Sequence, residues 1–321
     1  MFKRSTALLL CFAAVMSVGL SACGSNNSAS IASGEASSVS QASADSKVSD
    51  SKIKVSVTFN AMYEFVNAVG KDKVEISTII PDGTEPHDFE PKAQDLVGLS
   101  TARIFVYSGF GMETWADNAI KSANNPNLIA VEASKGAEPI KNIDPGEIKE
   151  HGQYDPHIWL SLKGAEIEAK NIKDALVKAD TANKDFYEKN CSDFVNQLEN
   201  LYTKYNDKFK NAKNKSFVTG HAAFGYLCRD FDLKQNSVED VFAEGEPSAQ
   251  QLVELVKYCK ENKVTTIFAE EMASPDVSKT LAKEVGAKVE TIYTIESGED
   301  SKTYLERVES DLTKIDASLK G

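Results

Sequence analysis

The chain has 321 residues, enough for two domains of ordinary size. Its formal net charge is −12, with no cluster of Lys and Arg in the body, which argues against nucleic acid as a partner. The acidic balance suits a protein that collects cations, a trait shared with many soluble proteins.

Lys3 and Arg4 precede an apolar run from Ala7 to Leu20. The run is broken by Ser17 and Gly19 and is too short for a settled membrane span, so residues 1–22 read as a secretory leader. It closes with Leu20-Ser21-Ala22-Cys23-Gly24, small residues directly before a cysteine, which resembles the bacterial lipobox. The resemblance implies cleavage before Cys23 and a diacylglyceryl thioether on its sulfur. The acyl chains would hold the mature protein on the outer face of a membrane. The rest of residues 23–52 is Ser, Ala, Gly, Asn and Asp with scarcely an apolar side chain. Such a segment does not bury enough surface to offset its ordering entropy, and reads as a flexible tether of about 30 Å root-mean-square reach.

The folded body begins with the alternating strand Ile53–Phe59, followed by a helix over Met62–Val69 that ends at Gly70. Val74–Ile80 is a second strand, stopped by the turn Pro81-Asp82-Gly83. Pro91 is placed to open a helix carrying Leu96 and Leu99. Ile104–Tyr107, Met112–Ser122 and Leu128–Val131 read as strand, helix and strand, and residues 133–156 as a loop without period. A helix through Ile167, Ile172, Leu176 and Val177 completes a first lobe, residues 53–181.

From Lys184 to about Lys210, Tyr187, Cys191, Phe194, Leu198, Leu201, Tyr202, Tyr205 and Phe209 recur every three or four residues, with no Gly or Pro between them. This predicts one helix about 40 Å long. It serves as a stiff beam over 182–213 joining two lobes, and the alternative is an ordinary long helix within one lobe. Residues 214–321 repeat the pattern. Phe217–Thr219 is a strand, a helix runs through Phe224 and Leu227, and Pro247 opens a helix through Leu252, Leu255, Val256 and Cys259. Strand Thr265–Ala269 ends in Glu270-Glu271, helix Pro275–Val285 ends at Gly286, strand Lys288–Tyr293 follows, and a last helix carries Tyr304, Val308, Leu312, Ile315 and Leu319. Strand–helix alternation in both halves predicts an α/β protein of two lobes with parallel sheets joined by one long rigid helix. Ligands of such sheets bind beyond the carboxyl ends of the strands. Cys191, Cys228 and Cys259 leave open either a Cys228–Cys259 disulfide or three buried thiols.

There are four histidines, His87, His151, His157 and His221. None lies on an apolar helical stripe. Three of them, His87, His157 and His221, sit in loops that leave strands or enter helices in both lobes, positions that could converge on the cleft between them. Taken singly, each is as readily a hydrogen-bonding loop residue as a ligand.

The segments Pro86-His87-Asp88-Phe89-Glu90-Pro91, Asp155-Pro156-His157-Ile158-Trp159-Leu160 and Gly220-His221-Ala222-Ala223-Phe224-Gly225-Tyr226 resemble the metal-binding stretches of the zinc/manganese solute-binding lipoproteins of ABC importers. Glu246-Pro247-Ser248, Phe268-Ala269-Glu270-Glu271 and the long helix resemble that family too, and the likeness covers about residues 53–319. It implies two α/β lobes, a rigid helix between them, and a metal site at their interface. His87, His157 and His221 match three family ligands, and Glu296 best matches the carboxylate that is the fourth, with Glu299 and Asp300 close by. Asp88, Asp155, Glu270 and Glu271 are candidates to orient the imidazoles.

Three neutral imidazoles and one carboxylate suit Zn²⁺, whereas Mn²⁺, the second choice, prefers more oxygen donors. His151 is read as a solvated loop residue rather than a zinc-catching one. The resemblance implies an extracytoplasmic monomer that passes metal to a membrane permease and its ATPase. An unbroken helix offers few hinge residues, so lobe motion is expected to be small. Two other classes stand beside this one. A surface zinc-dependent hydrolase would need an open coordination position, and the sequence has no His-Glu-x-x-His and no Gly-x-Ser-x-Gly. An adhesin is compatible with the tether.

Overall fold

The computed structural model describes residues 52–142, 148, 152–239, 248–272, 274–298 and 300–320. The leader, Cys23, the tether up to residue 51, His151, Glu246, Pro247 and Glu299 lie outside them.

Parallel strands covered on both faces read as near-continuous apolar runs, and Ile104-Phe105-Val106 is one, fully buried. It belongs to β3 (Ile104–Tyr107), which pairs with β1 (Ile53–Val57) and β4 (Ile129–Glu132), while β2 (Val74–Thr78) lies outside β1. The order is β2-β1-β3-β4, all parallel. The second half builds the same plan from β5 (Ser216–Thr219), β6 (Lys234–Ser237), β7 (Thr266–Glu270) and β8 (Lys288–Ile292), ordered β6-β5-β7-β8 and again parallel. The strand β6, Lys-Gln-Asn-Ser, escapes sequence reading because it is an edge strand. Pairing with β5 alone satisfies it, and no apolar face is demanded of it.

The helices among the described residues are α1 (Asn60–Gly70), α2 (Ala116–Ser122), α3 (Leu162–Ala179), α4 (Lys184–Asn211), α5 (Gly225–Phe231), α6 (Ala249–Glu261), α7 (Asp276–Val285) and α8 (Tyr304–Ser318). Helix α4 has 28 residues and spans about 42 Å. It buries Tyr187, Cys191, Phe194, Leu198, Tyr205 and Phe209, while Leu201 and Tyr202 are half-buried. It lies along both halves. Asn190 Nδ2 donates to the Val69 carbonyl of α1 at 3.0 Å, Tyr205 bonds Thr313 of α8 at 2.6 Å, and Phe209 meets Phe231 of α5 with ring centroids 5.0 Å apart. One apolar core accordingly runs from the first sheet through α4 into the second half. A smaller one, around Val218, Leu255, Ile267 and Leu281, lies under α6 and α7.

Two expectations are corrected. The segment carrying Leu96 and Leu99 makes only a 3₁₀ turn, Val97–Ser100, in which Leu99 alone is buried, since so short a run has no second turn of apolar residues to dock. Helix α2 begins at Ala116 rather than Met112. The buried Glu113 carboxylate accepts the Ser108 and Gly109 amides at 2.9 and 3.0 Å and folds that stretch into a turn. The three described cysteines are buried free thiols. Among the described residues no helix is long and apolar enough to cross a membrane.

Candidate metal centre

Each functional side chain stands just past a strand or at the start of a helix, where the backbone has left the ladder. His87 follows β2 by way of the Pro81-Asp82-Gly83 turn, His157 caps the 3₁₀ turn Ile158–Leu160 before α3, His221 follows β5, and Glu296 follows β8. The fold gathers them, and one donor atom from each of His87, His157, His221 and Glu296 lies within 4.8 Å of the others. The Nε2 atoms of His87 and His221 stand 3.1 and 3.3 Å from His157 Nε2, and Glu296 Oε1 is 3.8 Å from both His87 and His157. Donors bound tetrahedrally at about 2.0–2.2 Å would stand about 3.3–3.6 Å apart, so the spacing fits a zinc ion. The side chains are almost completely buried.

The imidazoles are oriented by different means. The Asp155 carboxylate accepts both the backbone N–H and the Nδ1–H of His157, each at 2.9 Å, which leaves the Nε2 lone pair directed at the cluster. Glu270 Oε1 accepts the His221 amide at 3.1 Å, but His221 Nδ1 is 3.7 Å away, beyond a direct bond. Gly220 allows this approach, because a Cβ there would stand 1.9 Å from Glu270 Oε2. Thr219 Oγ1 and Gln235 Nε2 both donate to the His221 carbonyl, fixing the turn from the other side. The His87 amide donates to Glu85 Oε1 at 3.2 Å.

Electrostatics favour a cation. Burial, with the His157 ring beside it, holds His221 well below the ordinary imidazole range, so it is neutral and its lone pair is available. Burial pushes the Glu296 carboxyl well above its usual range, and the neighbouring Glu85, Glu271 and Glu270 carboxylates add to the shift. Burial likewise raises Glu270 to about 8. Thr294 Oγ1 donates to Glu296 Oε2 at 2.8 Å, while the buried Oε1 has no hydrogen-bond partner. A buried carboxylate oxygen left without a donor costs free energy that a bound cation would remove.

All four residues named as ligands from the sequence come together here. The alternative Asp300 is committed elsewhere, accepting Arg307 Nε and Nη2 at 3.0 and 2.6 Å. Of the orienting candidates, Asp155 touches His157 and Glu270 touches His221. Glu271 acts on the segment before Glu296, accepting the Thr294 and Ile295 amides at 2.9 and 3.1 Å. Asp88 is exposed, and the acid beside His87 is Glu85. Sequence reasoning gave Glu85 no role, nor Tyr226, whose hydroxyl donates to the Asp155 carbonyl at 2.7 Å, nor Trp159, whose Nε1 donates to the Thr294 carbonyl at 2.8 Å. For Trp159 and Tyr226 the available signal was an aromatic residue with a polar tip inside the His157 and His221 motifs.

Two parallel-sheet lobes bound along one long helix, with a closed cluster of nitrogen and oxygen donors between them, define a solute-binding protein for a metal ion. Residues 55–318 match the family of the zinc-uptake complex component A, periplasmic (ZnuA), and the chain belongs to that family. A putative metal-binding protein of Treponema pallidum (strain Nichols) is 44% identical over 272 residues, 82% of this chain and 86% of that protein. The high-affinity zinc uptake system protein ZnuA of Bacillus subtilis (strain 168) is 38% identical over 307 residues, 92% of this chain and 90% of that protein. A crystal structure of a ZnuA deletion mutant with zinc bound has a TM-score of 0.74 and 30% identity, covering 84% of this chain and 99% of that one.

Proposed function

We propose that this protein captures Zn²⁺ outside the cytoplasm and delivers it to the permease of an ABC importer, which a partner ATPase drives. The observation that carries this reading is the convergence of three imidazole Nε2 atoms on the buried, unpartnered Oε1 of Glu296. His87, His157, His221 and Glu296 are its ligands. Three nitrogens and one oxygen favour zinc over manganese. Four protein donors close a tetrahedral shell and leave no position for an activated water, so the site binds and does not catalyse.

The organisation follows from this role. Residues 1–22 direct export, Cys23 carries the lipid anchor, and 23–52 tether a monomeric body of two lobes, 53–181 and 214–321, linked by 182–213. Metal analysis of protein purified without added zinc tests the reading. About one zinc per chain is expected, lost on substitution of the ligands, and a chain that retains manganese instead would overturn the choice of metal.

A further inference from the structure

Glu296 sits on a backbone that does not relax into place unaided. Ile295, just before it, has φ +61°, a left-handed conformation that a β-branched residue rarely adopts, and its side chain is fully buried. Such a geometry persists only where its surroundings over-determine it. Here Glu271 accepts the Thr294 and Ile295 amides, Asn60 Nδ2 donates to the Ile295 carbonyl at 3.2 Å, Trp159 holds the Thr294 carbonyl, and Arg307 Nη1 donates to the Ser297 carbonyl at 2.7 Å.

Those groups are buried or half-buried. The outermost hold is different. The half-buried Gly298 donates its amide to Oδ1 of the exposed Asp82 at 2.7 Å, and alongside it the Gly83 amide donates to Ser297 Oγ at 3.1 Å. Asp82 and Gly83 form the turn that leads into His87, so this contact ties the segments of the first and fourth ligands together at the protein surface. The fit is close: a Cβ at Gly298 would stand 2.9 Å from Asn60 Oδ1 and 3.2 Å from Asp82 Oδ1.

We infer that Asp82 is a positioning residue that sets how long zinc stays bound, by clasping the Gly298 amide and so holding the strained Glu296 segment against the metal. Opening of this clasp lets Glu296 leave, while the imidazoles remain on their strand-end turns. The inference rests on Glu296 being a ligand.

The test uses the mature chain loaded with zinc, mixed rapidly with excess chelator, in four backgrounds: wild type, Asp82→Ala, Gly298→Ala and Glu296→Ala, together with the two doubles that combine Glu296→Ala with each of the others. Asp82→Ala removes the acceptor and Gly298→Ala crowds it from the other side. Each is expected to speed zinc release about tenfold, the scale of one charge-assisted hydrogen bond. In the Glu296→Ala background both should change release less than about twofold, because the group they position is gone. Unchanged release in either single variant overturns the inference. Equal acceleration with and without Glu296 also overturns it, since the clasp would then act on the lobes as a whole. A Glu296→Ala chain that binds zinc as tightly as wild type is a separate result that overturns the ligand reading beneath it.

Discussion

His157 and Glu296 stand 3.8 Å apart and are held in opposite ways. His157 takes its orientation from Asp155, two residues earlier, which binds its amide and its ring together. Glu296 depends on Trp159, Asp82 and Asn60, which hold its segment from 135, 216 and 235 residues away along the chain. The His157 ring is aimed as soon as a local turn forms. The Glu296 carboxyl is aimed only when both halves are packed. A site built this way presents preorganised nitrogens at one wall and a carboxylate that the tertiary structure must bring to them.

The comparison breaks most sharply at the ligands themselves. His157→Ala, His87→Ala and His221→Ala should each weaken zinc binding by more than the roughly 10–100-fold that loss of an orienting partner costs. Competition with a chelator measures this, and full affinity in any one variant would remove that residue from the site. The fold should survive, because each half keeps its own sheet and apolar strands.

Next in size come the partners that orient the imidazoles. Asp155→Ala should cost about 10–100-fold in zinc affinity, since it frees both the ring and the amide of His157. Glu270→Ala should cost less than about tenfold, because His221 Nδ1 already lies 3.7 Å from it. Equal losses, measured in the same competition assay, would erase the distinction between a pinned ring and a loosely supported one.

The smallest effect is the dependence on pH, and its sign differs between the groups. His221 has its folded value depressed by burial. Its contribution to the metal-free fold is present above pH about 6.5 and is lost as pH falls below that toward the folded value. Glu270 is raised by burial from 4.5 to about 8, so its contribution is present below 4.5 and is lost as pH rises through about 8. Zinc replaces protons in this cluster, and binding at pH 7 should release about one proton, read from calorimetric heats in buffers of different ionisation enthalpy. Zinc should also raise the melting temperature, with a stabilisation on the order of 4 kcal/mol at a thousandfold excess over Kd, and the gap should narrow from pH 7.5 to pH 5.0. An equal shift at both pH values would argue against imidazole ligands.

Much of this molecule is written locally. The three-and-four spacing from Tyr187 to Phe209 determined one unbroken helix, because periodic apolar side chains bury on a single face whatever they meet. The apolar strands and their intervening helices determined two parallel sheets. The Asp155-Pro156-His157 stretch carried a candidate ligand and the acid that orients its ring together. Tertiary structure alone decided the rest. Lys-Gln-Asn-Ser became β6 because a neighbouring strand offered a free edge, and the segment of Leu96 and Leu99 made no α-helix because only one short turn of it docks, with Leu99 buried and Leu96 half-buried against the core. Glu85 rather than Asp88 came to the His87 amide, since positions on either side of a residue in a turn face different ways and only packing selects the one that turns inward. Above all, Glu296 reached the cluster through bonds from distant parts of the chain that hold Ile295 in a conformation its own sequence disfavours, and no local pattern encodes a geometry whose stabilising partners lie so far away.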